Sequence, residues 1–307
     1  MTENRGKERI AIIGAGLMGH GLAAVFANGG HDVAITDPFA DVLASAKERI
    51  AATLQSIGWN PGAVERVTTC VSLKDAVARA DIVIEAAPER LGLKQDIFAE
   101  LEAHALPDAL LCSNTSVIPI GQIAARVVSR HRVLGTHWWN PPYLVPLVEV
   151  IQAGGTDPAH VARMIALLTG LGKVAVHVKK DVPGFVGNRM QHALWREAIA
   201  LVDAGVCDAE TVDLVVKNSF GRRLAVLGPL ENADLVGTDL TLDIQNSVLP
   251  HLDRATEPTP TLKALVRDGK LGFKSNHGFK TWTDDKKAAL RTRVAEHLEL
   301  LNKLLEN

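Results

Sequence analysis

Short apolar runs alternate with stretches of helical periodicity from Arg9 to about Lys179. Strands are predicted at 9–13, 32–36, 67–71, 82–85, 109–113, 132–137, 145–151 and 173–178. Helices are predicted between them at 17–28, 40–57, 93–103 and 158–168. Gly29-Gly30 supplies a natural stop for the first helix, and Asn60-Pro61-Gly62 breaks the second. The strands are continuously apolar rather than alternating, so both faces of their sheet must be covered. Alternation of strand with helix then predicts an α/β fold, a doubly wound and mainly parallel sheet.

The pattern changes at Lys179-Lys180-Asp181-Val182-Pro183-Gly184. Beyond it strand signals fade and helical periodicity takes over at 189–204, 209–217, 238–249, 260–267 and 284–305. Two domains are expected, an α/β domain at 1–182 and an all-helical C-terminal domain at 183–307. No internal repeat or low-complexity segment interrupts them.

Composition narrows the class. The 307 residues are 47% hydrophobic, and 35 acidic side chains nearly balance 33 basic ones. Such a balance argues against a nucleic-acid surface and against a polybasic membrane patch. The apolar stretch 10–26 is interrupted by glycines and His20, so it reads neither as a signal segment nor as a span. Cys70, Cys112 and Cys207 are far apart and lack metal-type spacing, so no metal is expected and a cytoplasmic location fits. Met1 to Lys7 is short and polar.

Gly14-Ala15-Gly16-Leu17-Met18-Gly19 follows a strand and opens a helix. Gly14 permits the tight turn, Gly16 lets backbone approach a pyrophosphate, and Gly19 lets helix pack on strand. The helix N-terminus favours the phosphates. Gly14, Gly16, Leu17, Met18 and Gly19 are therefore candidate cofactor contacts in a Rossmann domain. Asp37 ends the second strand, where a carboxylate accepts ribose hydroxyls and repels a 2′-phosphate. With no arginine in Pro38-Phe39-Ala40, the expected cofactor is NAD rather than NADP. A second cluster, Glu85 to Lys94, follows the 82–85 strand at its carboxyl end. Glu89 and Lys94 either reach the cofactor's ribose or are a helix-end charge and a solvated lysine.

His137 closes a strand, and Glu149 lies in the apolar run Leu147-Val148-Glu149-Val150-Ile151. An unpaired buried carboxylate is costly, so Glu149 calls for a partner. A hairpin-like return after Pro141-Pro142 would bring it to His137. Histidine suits a general base near neutral pH, and a carboxylate on its other nitrogen fixes the tautomer. Ser116, in the polar patch Ser113-Asn114-Thr115-Ser116, and Asn188, at the start of a long helix, are candidate donors to a substrate oxygen. Their plainer alternatives are a helix cap and an interdomain hydrogen bond.

Taken together, these motifs resemble the 3-hydroxyacyl-CoA dehydrogenase family, over nearly the whole chain to about residue 282. The carrying residues are Gly14 to Gly19, Asp37, Glu85 to Lys94, Ser113 to Ser116, Gly135-Thr136-His137-Trp138-Trp139-Asn140-Pro141, Glu149 and Pro183 to Arg189. The resemblance implies His137 as base, Glu149 as its partner, and Ser116 and Asn188 as substrate contacts. It places Glu89, Lys94, Asn114 and Asn140 around the cofactor. It also implies a homodimer formed through the C-terminal helical domain.

Asn140-Pro141-Pro142-Tyr143 and Gly221-Arg222-Arg223 resemble the branch holding λ-crystallin/L-gulonate dehydrogenase, carnitine dehydrogenase and a pyridine-carboxylate dehydrogenase. In that branch the position of Arg223 would meet a substrate carboxylate, the alternative being a solvated arginine. Segment 39–66 is shorter than the helical hairpin of members that bind CoA, and its cations are Lys47, Arg49 and Arg66. Trp138 and Trp139 stand where phenylalanines are commonest, either shaping the pocket or filling core. The expected activity is NAD-dependent oxidation of a small hydroxy acid, with an acyl-CoA thioester as alternative substrate. A non-catalytic NAD-binding protein is the remaining alternative. The related class with a lysine acid/base is disfavoured, because no lysine follows Asn188-Arg189 within two turns.

Overall fold

The computed structural model describes residues 7–305, so the polar start at Met1 to Gly6 lies outside the described residues. It divides into two compact units. Unit 1 runs to Arg189 and includes the chain from Leu298 onward, and unit 2 is Met190–His297.

Unit 1 is built on a sheet of eight strands: β1 (Arg9–Ile13), β2 (Asp32–Thr36), β3 (Val67–Thr69), β4 (Ile82–Glu85), β5 (Leu110–Ser113), β6 (Val133–Trp138), β7 (Leu147–Ile151) and β8 (Val174–Val178). Their order is β3-β2-β1-β4-β5-β6-β7-β8. Every neighbouring pair is parallel except β6 and β7. The order reverses between β1 and β4, the crevice where open α/β sheets bind ligands.

The helices are α1 (Leu17–Asn28), α2 (Ala40–Ala44), α3 (Ala46–Ser56), α4 (Leu73–Val77), α5 (Leu91–His104), α6 (Ile120–Ile123), α7 (Pro158–Gly170), α8 (Gly187–Asp203), α9 (Ala209–Asn218), α10 (Pro229–Val236), α11 (Thr238–Val248), α12 (Pro260–Arg267) and α13 (Asp284–Leu305). Period two distributes β1 between two cores. Ile10 and Ile12 join Leu22, Phe26, Ile50, Leu54 and Met164 on one face. Ala11 and Ile13 join Val77, Phe98, Leu101 and Ile123 on the other. The central strands are thus buried on both sides, as their apolar runs require, while the edge strands β3 and β8 are largely exposed.

The single helix expected at 40–57 is two helices that part at Ser45. The Ser45 hydroxyl donates to the carbonyls of Asp41 (3.1 Å) and Val42 (3.2 Å), a local bond that competes with helix continuation. The one-turn helices α4 and α6 and the eight-residue α10 are too short to show a clear period. Among the described residues no helix is long and apolar enough to cross a membrane.

Unit 2 holds most of α8, all of α9 to α12 and most of α13. Arg196 pairs with Asp253 at 3.4 Å, and Lys280 with Asp213 at 2.5 Å. The Phe273 and Trp282 rings meet edge to face at 4.6 Å. No described residue of unit 2 reaches full burial.

Candidate active site

The glycine-rich turn has the geometry its residues were assigned. Gly14 has φ +106°, and a Cβ there would meet the Ala86 carbonyl at 2.8 Å. A Cβ on Gly19 would fall 1.8 Å from the Gly14 carbonyl, so only glycine allows helix and strand this close. Around Gly16 the space is open, and α1 begins there with no side-chain cap and no acid in its first turn. Its first amides are left for an anion, as a pyrophosphate needs. Leu17 is exposed and Met18 half-buried beside this turn. The Asp37 carboxylate accepts from the amides of Ala15 (2.7 Å) and Phe39 (2.9 Å). It is held at the end of β2 with lone pairs to spare.

At the ends of β4 and β5 a buried network forms. Glu85 and Lys94 are both 0% exposed and paired at 2.7 Å. Glu85 also accepts from the Ala87 amide (2.6 Å) and the Ser113 hydroxyl (2.6 Å). Lys94 Nζ donates further to the Ala87 carbonyl (3.2 Å) and lies 3.5 Å from Glu89. Lys94 is therefore not solvated. It holds the loop that follows β4. Glu89 accepts from the Thr115 hydroxyl and from the amides of Ser116 (3.2 Å) and Val117 (3.3 Å). Burial raises its pKa, but these donors and Lys94 outweigh that and hold it below its ordinary value. Asn114 receives the Trp138 amide at 3.0 Å, tying β5 to β6.

β6 and β7 form the expected return, with His137 directly opposite Glu149. His137 Nδ1 donates to Glu149 Oε2 at 2.7 Å, and both side chains are buried. The other oxygen, Oε1, accepts the amides of Val186 (2.9 Å) and Gly187 (3.1 Å) at the start of α8. Burial pushes the Glu149 pKa up. The bonds from His137 and the two amides more than offset it, so the carboxyl is held below its ordinary range. With Nδ1 engaged, Nε2 carries no hydrogen bond among the described residues.

Phe185 (5.8 Å) and Trp139 (5.2 Å) bracket the imidazole. Trp139 fits because position 187 is glycine, where a Cβ would meet the indole at 2.5 Å. Trp138 instead fills core against Phe26 at 5.9 Å. Asn188 Nδ2 donates to the Ser116 carbonyl at 2.8 Å. Ser116 is half-buried, and its hydroxyl has no partner among the described residues. Asn140 is exposed. Arg223 lies in unit 2, exposed and without an ion pair among the described residues. Cys112 is fully buried, which pushes its thiol pKa up and leaves it inert. Among the described residues no cluster could hold a metal ion.

Sequence reasoning missed three supports. The amides of Val186 and Gly187 leave no trace in residue type. Asp181 accepts the amides of Ile120 (2.9 Å) and Gly121 (2.7 Å), tying the segment before α8 to the one after Ser116. Glu85 could have been found as Glu149 was, as an acid closing an apolar strand.

The chain is an NAD-dependent oxidoreductase acting on CH–OH groups, as its family match and its relatives show. The 3-hydroxyacyl-CoA dehydrogenase NAD-binding domain model matches residues 9–182, and the C-terminal domain model of that family matches 184–282. The chain belongs to the 3-hydroxyacyl-CoA dehydrogenase family. It is 36% identical over 302 residues to a 5-formyl-3-hydroxy-2-methylpyridine 4-carboxylate 5-dehydrogenase of Mesorhizobium japonicum, covering 97% of this chain and 98% of that one. It is 37% identical over 241 residues to an L-carnitine dehydrogenase of Streptomyces coelicolor, covering 77% and 76%. A solved structure of a 5-formyl-3-hydroxy-2-methylpyridine 4-carboxylic acid 5-dehydrogenase, described as an NAD+-dependent dismutase, superposes with a TM-score of 0.92. It shares 34% identity and covers 98% of this chain and 99% of its own.

Proposed function

We propose that the protein oxidises the secondary alcohol of a small L-3-hydroxy acid to a ketone, with His137 as base and Glu149 as its partner. The observation that carries this reading is the double grip on Glu149. Two backbone amides hold one oxygen while the other accepts His137 Nδ1–H, so Nε2 is left as the proton acceptor. Bound NAD accepts the hydride. Glu149, kept ionised, stabilises the imidazolium as the hydroxyl proton arrives. The Ser116 hydroxyl and Asn188 steady the substrate oxygen. Gly14, Gly16, Leu17, Met18, Gly19 and Asp37 hold the cofactor on one side, and Glu89, Lys94, Asn114 and Asn140 serve the other.

A free acid is favoured over a CoA thioester by the fate of the cations at 39–66. Arg49 donates to the carbonyls of Ala15 and Val42 at 2.8 Å each and to Ser45 at 3.3 Å. Arg66 leans on Asp32 at 3.8 Å. Within segment 39–66 Lys47 carries no ion pair among the described residues, and Arg66 only a long, exposed one. Arg223 is the proposed partner of a substrate carboxylate. The helical domain, 183–307, is proposed to pair with a second copy of this chain, in a cytoplasmic enzyme. Supporting this, unit 2 exposes Leu230, Leu235, Leu242, Val215 and Val266 by more than half.

The test is an NAD-reduction screen of short 3-hydroxyacyl-CoA thioesters, L-gulonate, carnitine and aromatic hydroxy acids, run beside His137→Gln. Turnover with a free acid, cut about 10²- to 10⁴-fold by the substitution while NAD still binds, is expected. Unchanged turnover in the variant would remove His137 as base.

A further inference from the structure

The loop joining β6 to β7 carries Trp139 and Asn140 beside the proposed base, and it is poor in its own donors. Pro141, Pro142 and Pro146 have no N–H. Its carbonyls must therefore be met from elsewhere, since an unmet buried carbonyl is costly. The amides of Leu144 and Val145 both turn back to Pro141, at 3.1 and 3.0 Å. Pro146 receives the Val174 amide at 3.0 Å.

Two side chains meet three more of these carbonyls. Lys173 Nζ donates to the carbonyls of Pro142 (2.6 Å) and Val145 (3.2 Å). Asn302, at the end of α13 within unit 1, donates to the Leu144 carbonyl at 2.8 Å. Lys173 is 8% exposed, and no carboxylate pairs with it among the described residues. Its ammonium also stands 5.7 Å over the Trp138 ring. Burying a lysine without a counter-charge is unfavourable, so it persists for what it holds. What it holds is wedged on the cofactor helix: a Cβ on Gly21 of α1 would meet the Pro142 ring at 2.6 Å.

We propose that Lys173 is a positioning residue: its buried ammonium fixes the loop 139–146, and with it Trp139 and Asn140, between the base and α1. The proposal rests on His137 as base for its kinetic part only. The contacts of the Lys173 ammonium are to the carbonyls of Pro142 and Val145 and to the Trp138 ring. Its effect is on the placement of the loop, where a shift of about 1 Å can cost on the order of a hundredfold.

The experiment pairs hydrogen exchange with kinetics in Lys173→Met. Faster exchange at Leu144 and Val145 is expected, with exchange in β1 and α1 unaltered. A fall in kcat/KM of about tenfold or more is expected, with the NADH dissociation constant held within about threefold. Aminoethylation of Lys173→Cys rebuilds an ammonium of nearly the same length and should restore both, with alkylated native protein as control for the other cysteines. Native exchange, native kcat/KM or failure of aminoethylation to restore activity overturns the proposal. If Lys173→Met does not fold, Asn302→Ala carries the test from the second anchor. The same changes are expected there, and native values for both overturn the clamp. Undiminished turnover in His137→Gln would remove the base while leaving the exchange result to stand.

Discussion

Unit 1 and unit 2 draw on the same apolar residue types and use them differently. In unit 1 the central strands and the helices packed on them bury their apolar residues in two cores on either face of a sheet, and buried polar groups such as Glu85, Glu149 and Lys173 are tied by several partners each. In unit 2 the helices bury no residue fully, and Leu235 is 71% and Leu242 59% exposed. A sheet whose central strands are covered on both faces holds its own core. A set of amphipathic helices without a shared core needs a further surface, here proposed to be a second copy of the chain.

The largest effect should come from breaking that surface. Leu242→Asp with Ile244→Asp should turn a dimer into a species of half the mass with reduced helical signal, read by sedimentation and circular dichroism. Burial of each such side chain contributes about 1.5–3 kcal/mol. A native chain that sediments as a well-folded monomer would defeat the contrast.

Next comes the tied carboxylate of unit 1. Glu149→Gln keeps the shape but removes the charge that fixes the imidazole. A loss in kcat of about 10³-fold or more is expected, with NAD affinity near native. A loss under tenfold would show that the imidazole does not depend on it.

Lys173 sharpens the contrast through pH. Burial lowers its pKa from 10.5 to about 8, so between those values the unfolded chain binds more protons than the folded one. Stability attributable to this group should therefore rise with pH from about 8 to 10.5, by on the order of 3 kcal/mol at most. The signature is a difference between native protein and Lys173→Met in denaturant midpoints across that window. Parallel curves would contradict it.

The smallest effect concerns Arg223, a cation of unit 2 with no ion pair among the described residues. Arg223→Ala should raise KM for a free hydroxy acid about tenfold and leave an uncharged analogue unaffected. Equal effects on both would remove the carboxylate contact.

Much of this could be read along the chain. Strands that read as largely continuous apolar runs implied a sheet covered twice, and β1 divides between two cores as period two demands. Glu149 was legible because an acid inside Leu147–Ile151 must have a partner, and the ladder puts His137 opposite it. The break at Ser45 was not, because it comes from a hydroxyl turned to its own backbone. Lys94 and Lys173 were hidden for a different reason. A lone lysine reads as solvated, and only the fold reveals the carboxylate or the carbonyls that draw it inward.

Trp139 and Gly187 carry a consequence for how such a site can change over time. The indole occupies the space that any side chain at 187 would need, 2.5 Å from where its Cβ would stand. The two positions can therefore drift only in one order: the ring must shrink before the glycine can grow. A lineage holding the tryptophan keeps the glycine fixed behind it, and the aromatic wall beside His137 becomes a one-way door in sequence space.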